Sequence, residues 1–298
     1  MDVADSAEEA GVAAVAGVAE AAAVLEVAGD SADLVAAVRA VEERAAVGSG
    51  EDAMIPMEIV DEFVKRVRDA GGANIESVIL FGSAVAGHFH EGLSNLNLLC
   101  VLKDTSFQSL EALGRAARWW DKQKQPPPLC MTGHEIERST DVFTIELLDM
   151  QQYHRVLFGP DVLADLQIPM DLHRVQVEYE LREKLILLRE HILVSSQNDG
   201  RLWELLLRSG PSFATLFRHA LIALGDRSDK ARREAVQAIS ERLGLPSSAL
   251  LEVLDVREKQ FQKKGLNVRE LAARYLAEVE KVTSAVDLAL DENRSKRT

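Results

Sequence analysis

The stretch that decides the fold is Val78-Ile79-Leu80-Phe81-Gly82-Ser83, followed after a loop by Ser94-Asn95-Leu96-Asn97-Leu98-Leu99. The β-rich run Ser77-Val78-Ile79-Leu80-Phe81 predicts a strand closed by Gly82-Ser83, and Leu96 to Leu102 predicts a second. Eleven residues, Ala84 to Ser94, separate Ser83 from Asn95. Gly82 permits a backbone turn and the close approach of a phosphate, while Ser83 offers a hydroxyl and an amide where oriented N–H groups favour anions. Residues two apart on a strand point the same way, so Asn95 and Asn97 are expected to face one pocket while Leu96 and Leu98 face away.

On the N-terminal side, Ile59, Phe63 and Val67 recur every four positions among charged residues, and Gly71-Gly72 stops the helix they predict. On the C-terminal side, Phe107–Trp120 reads as a helix stopped by Pro126-Pro127-Pro128. A short extended piece around Leu129–Thr132 and a strand at Val142–Leu148 complete the α/β unit, with Gly159-Pro160 and Pro169 marking its exit. Beyond Pro169 the pattern is helical throughout. Val177, Leu181, Leu185, Leu188 and Ile192 form one long amphipathic helix, and Val268, Leu271, Tyr275, Val279, Val282, Val286 and Leu290 form another. Shorter helices are expected at Arg201–Arg208, Ser212–Leu224, Lys230–Leu243 and Ser247–Lys259, with breaks at Gly210-Pro211, Gly225 and Gly244-Leu245-Pro246.

The expected organisation is therefore a tail over 1–50, a small α/β domain over 51–169 and a helical domain over 170–298. Residues 1–50 hold 17 alanines, no aromatic side chain, 10 acidic and 2 basic residues, which reads as an acidic, flexible, solubilising extension. Its opening acids, Asp2, Asp5, Glu8 and Glu9, stand where a targeting signal carries basic residues, and no apolar run reaches the length of a membrane span. The net charge of -14 argues against broad nucleic-acid binding, which draws its affinity from Lys and Arg against phosphate. Cys100 and Cys130 lack metal-ligand spacing and read as reduced, buried thiols of a cytoplasmic protein.

The strand, Gly82-Ser83, the loop length and the Asn95-x-Asn97 strand together resemble the signature of the nucleotidyltransferase superfamily related to DNA polymerase β. The likeness extends loosely over 55–290, as in bacterial members where such a unit precedes a helical domain. It implies an α+β fold: a small mixed-sheet nucleotidyltransferase-like domain followed by an all-α helical domain. It also implies nucleotide binding by Gly82, Ser83, Asn95 and Asn97, with Glu146 on a later strand as third carboxylate and metal ligand. Asp149 is the alternative, excluded from facing the pocket together with Glu146 by strand parity.

Active members of that family carry aspartates where this chain has Asn95 and Asn97, and arginines in the loop where it has Ala84-Val85-Ala86-Gly87. Asparagine keeps the shape but not the charge, so Mg²⁺ is expected to be held weakly and mainly through a bound nucleoside triphosphate. Three readings follow. The leading one is a pseudoenzyme, a catalytically weak or inactive nucleotide-binding or regulatory module with a protein partner on its helical domain. The second is an active Mg²⁺-dependent transferase moving a nucleoside monophosphate from an NTP to a small molecule or protein. The third is a structural scaffold.

Other patterns carry less. His88-Phe89-His90 lacks a third metal ligand nearby and is read as an exposed loop. Trp119-Trp120, with Lys122 and Lys124 following, could stack on bases but is read as one core ring and one contact ring. Arg232-Arg233 and Lys263-Lys264 are read as solvated helix faces, and no Arg precedes a His at the spacing of ribonuclease toxins that accompany minimal nucleotidyltransferases.

Overall fold

The computed structural model describes residues 57–82, 84–85, 95–226, 230–258, 263 and 265–295. The tail 1–50, Ser83, His88 and His90 lie outside the described residues. The α+β class holds. Helix α1, Met57–Gly71, leads through one 3-10 turn into β1, Ile75–Phe81, which is followed by β2, Asn97–Leu102, helix α2, Phe107–Lys122, and β3, Leu129–Thr132. A short helix α3, Gly133–Arg138, helix α4, Thr144–Gln152, and β4, His154–Phe158, finish the sheet region. Five helices follow: α5 Met170–Ser195, α6 Asp199–Ala223, α7 Arg232–Leu243, α8 Ser248–Arg257 and α9 Val268–Ser295.

The sheet order is β3-β2-β1-β4. β1 runs antiparallel to β2 and to β4, whereas β2 and β3 are parallel. Alternation along the strands sorts the side chains: Val78, Leu80, Leu98, Cys100 and Leu102 share one core with Phe63 and Val67 of α1 and with Leu113 and Trp120 of α2. Phe63 and Trp120 are fully buried there with ring centroids 4.8 Å apart. Gly159, φ +78°, lets the chain leaving β4 lie directly over β1, since a Cβ there would come within 1.9 Å of the Glu76 carbonyl oxygen.

Two expectations need correction. The strand expected at Val142–Leu148 is helix α4, and β4 follows it over residues that carried no strand expectation. Thr144, Ile145, Glu146, Leu147 and Met150 are all buried, so the helix lacks the polar face that would have marked its period, and a short apolar run reads equally as a strand. Its N-terminus is capped from α5, where the Gln176 Oε1 accepts from the Thr144 hydroxyl at 2.7 Å and the Ile145 N–H at 3.1 Å.

Likewise the two helices expected on either side of Gly210-Pro211 form one, α6, with Pro211 inside it. Proline removes the N–H that would bond the Leu207 carbonyl, and the Arg257 guanidinium donates to that carbonyl instead at 3.1 Å. Phe213, Phe217 and Ala220 of α6 join Leu181 and Leu188 of α5, Val253 of α8 and Tyr275 and Val279 of α9 in a second core, which Ile145 of α4 also enters. Among the described residues no helix is long and apolar enough to cross a membrane.

Candidate functional site at the glycine turn

β1 ends at Phe81, which pairs with Asn97, the first residue of β2. Gly82 follows at φ +85° and turns the chain, with its carbonyl accepting the Val85 N–H at 3.0 Å. Gly82 and Asn97 are immediate neighbours: a Cβ on Gly82 would stand 3.1 Å from the Asn97 Nδ2. Asn97 is 9% exposed, and its Oδ1 is buried without a hydrogen-bond partner among the described residues. A buried amide oxygen left unsatisfied is uncommon, because its desolvation goes uncompensated.

Asn95 lies before the start of β2 and is half-buried. Leu96 and Leu98 enter one core, as the expected alternation requires, with Asn95 and Asn97 on either side of Leu96. Between them Leu96 is fully buried, with its N–H bound to the Gln125 Oε1 at 2.8 Å.

Glu146 stands on α4 rather than on a strand, and its Oε2 accepts from the Gln176 Nε2 at 3.0 Å. That places its carboxylate in the joint between α4 and α5. The strand parallel to β2 is β3, whose residues Leu129, Cys130, Met131 and Thr132 include no carboxylate. Mg²⁺ requires near-octahedral oxygen coordination. What the described residues bring beside Gly82 is an amide oxygen, and among them no group of three His, Cys, Asp or Glu could hold a metal. This donor set does not fit a pair of Mg²⁺ ions.

Asp149 has a different role from the one weighed in the sequence. On a helix, positions three apart are neighbours, so the strand-parity argument separating it from Glu146 lapses. Its carboxylate accepts from Arg218 of α6 at 2.6 and 2.7 Å and meets the His219 Nε2 at 2.8 Å. The His219 Nδ1 then meets the His173 Nε2 of α5 at 2.9 Å. Burial alone would raise the Asp149 carboxyl, but His219 and Arg218 together hold it well below the usual carboxylate range. Burial, and then the neighbouring His219, push His173 down to about 3 against the pull of Asp149.

This knot connects to the glycine turn. The Gly82 N–H donates to the Tyr153 carbonyl at 2.9 Å. The Arg218 guanidinium carbon lies 5.7 Å from the centre of the Tyr153 ring, and its NH1 donates to the Gln152 Oε1 at 3.3 Å. The end of α4 thus ties the turn to α6. The signal in the sequence is Arg218-His219 within the apolar run Phe213–Leu221: a buried guanidinium implies a carboxylate.

Trp120 is the core ring expected, and Trp119 is covered by the Arg66 guanidinium at 4.6 Å. The basic pairs read as solvated faces are partly engaged: Arg233 is bound to Asp255, and the Lys263 ammonium lies 5.7 Å from the centre of the Trp203 ring.

No family model matches the chain, and no curated protein matches it. Among solved structures it is similar to a spectinomycin adenyltransferase from Enterococcus faecialis, crystallised with ATP and spectinomycin. The identity is 16% and the TM-score 0.48, over 75% of this chain and 99% of that one.

Proposed function

We propose that this chain is a nucleotidyltransferase-fold protein that binds a nucleotide at the Gly82 turn and acts as a catalytically weak or inactive nucleotide-binding, regulatory module in the cytoplasm. Asn97 carries this reading: a buried, neutral amide whose Oδ1 has no partner among the described residues stands beside a positive-φ glycine, at the position where the resembled family places a carboxylate. The topology supports the same reading, because the glycine turn closes a strand that is antiparallel to the Asn97 strand, which in turn has a parallel neighbour. The acids nearest in sequence to the expected third position are compensated, Glu146 by Gln176 and Asp149 by Arg218 and His219. Among the described residues, a phosphate entering such a site meets no cluster of acids that a metal must first neutralise.

The test is calorimetric titration with ATP, once with Mg²⁺ and once with EDTA. Saturable binding of similar affinity in both, with no turnover of labelled ATP, is the expected result. Mg²⁺-dependent transfer of the nucleoside monophosphate would establish the active transferase instead, and absence of binding in both titrations would leave a scaffold.

A further inference from the structure

The chain has two cysteines, and the sheet brings them together. Cys100 on β2 and Cys130 on β3 are register partners across the parallel ladder, thirty positions apart in sequence. Partners in a parallel pair project to the same face, and both thiols lie at the core beneath α1 and α2. Strands about 4.8 Å apart put register partners inside the Cα separation of roughly 4.4 to 6.8 Å that a disulfide spans.

Their surroundings differ in a way that sets an order of reaction. Cys100 is fully buried on an inner strand. Cys130 is half-buried on the edge strand, next to Pro126-Pro127-Pro128, and its Sγ lies 3.8 Å from the Pro128 carbonyl oxygen. The neighbouring Cys130 sulfur, and then burial, raise the Cys100 thiol well above its ordinary value. The neighbouring Cys100 in turn holds Cys130 lower than an ordinary thiol despite its own burial. The thiolate is the form that oxidants attack, so the accessible partner is also the more reactive one.

We propose that Cys130 and Cys100 form a peroxide-sensitive dithiol site, in which Cys130 is oxidised first and Cys100 resolves it to an intramolecular disulfide. The Cys130 thiolate attacks one oxygen of hydrogen peroxide, and the O–O bond breaks to give a sulfenic acid and hydroxide. The Cys100 sulfur then attacks the Cys130 sulfur; the S–O bond breaks, the S–S bond forms, and the hydroxyl leaves as water with the Cys100 proton. The sum is two thiols and one peroxide giving one disulfide and two waters. The product clips the four-residue edge strand β3 to β2, and a dithiol reductant reverses it.

The experiment uses the full chain. It is exposed to hydrogen peroxide, remaining thiols are blocked with iodoacetamide, and intact mass and tryptic peptides are measured. The expected product is a monomer lighter by two hydrogens, in which peptide 69–103 is joined to peptide 125–138 and is released by dithiothreitol. In Cys100→Ala the resolving thiol is missing, and Cys130 should reach sulfinic acid about tenfold faster than in the wild type. Two results in the wild type would overturn the proposal: oxygen accumulating on Cys130 without a cross-link, or both cysteines remaining alkylatable after exposure. A cross-link joining two chains would overturn it as well. The wild-type peptides decide the matter even where the Cys100→Ala chain does not fold.

Discussion

His173 is fully buried and is pushed down to about 3 by burial and by His219. The His219 Nε2 faces Asp149 and its Nδ1 shares one hydrogen with the His173 Nε2, so a second charge on His173 would leave that contact without an acceptor. His173 is then neutral, and its own Nδ1 is buried without a partner among the described residues. An ordinary histidine titrates near 6.5, so on acidification the unfolded chain takes up this proton before the folded one does. Stability contributed by neutral His173 is therefore complete above about pH 7 and is lost as the pH falls from about 6.5 toward the folded value. Each pH unit in that window costs about 1.4 kcal/mol, or about 2 to 3 kcal/mol between pH 7 and 4.5. His173→Gln keeps a donor toward His219 but does not titrate. Urea unfolding of both proteins followed by circular dichroism at pH 7, 6, 5 and 4.5 measures the difference, since groups away from His173, His219 and Asp149 contribute alike to the two slopes. The variant should lose about 2 to 3 kcal/mol less than the wild type over that range. Parallel pH dependences in the two proteins would refute the buried neutral relay.

Three further outcomes can be measured. Asn97→Asp puts a carboxylate beside Gly82 and Asn95→Asp adds a second two positions earlier in the chain; at pH 7 the doubly substituted protein should melt below the wild type without metal, gain melting temperature with millimolar Mg²⁺, and leave the wild type as the metal-insensitive control. Gly82→Ala forces an L side chain into a φ of +85° and against the Asn97 amide; it should cost about 1 to 2 kcal/mol in chemical denaturation and weaken ATP binding, whereas unchanged binding would remove the turn from the site. Glu278 accepts from the Ala249 N–H at 2.8 Å, the Leu250 N–H at 3.0 Å and the Ser248 hydroxyl at 3.2 Å, closing the N-terminus of α8 from α9; Glu278→Ala should destabilise by about 1 to 3 kcal/mol in the same assay.

What could be read from the chain was what depends on near neighbours. β1 and β2 follow from β-branched and apolar runs bounded by Gly82 and by the loop, and α1 and α2 from residues recurring every three or four positions. α4 could not be read that way, because its buried surface extends around most of the helix and its N-terminal cap, Gln176, lies some thirty positions downstream. Missing α4 also hid β4, whose His154 and Arg155 open a strand that pairs with β1 only once the chain has turned at Tyr153. Pro211 signals a break to any local rule, yet α6 continues because Arg257, from another helix, satisfies the carbonyl that proline orphans. At the site the same division holds: Gly82 and Asn97 are adjacent as a two-strand register requires, while the partners of Glu146 and Asp149 come from α5 and α6.

The distribution of charge around the glycine turn then bears on what can bind there. A carboxylate at position 97 would be buried beside a turn whose amide and ring contacts run on to Asp149 and Arg218, and without a cation its charge would be uncompensated. The amide at Asn97 keeps the volume and removes that cost, while leaving an oxygen that can accept from a donor. Arg218 cannot take over as the missing cation without releasing Asp149, which it binds through two short hydrogen bonds. On the reading proposed above, and among the described residues, cation-dependent chemistry at this turn would require a new acid beside Gly82 and a metal to neutralise it. Binding a phosphate requires neither, and that asymmetry is why ATP affinity in the presence of EDTA separates a retained nucleotide site from a retained enzyme.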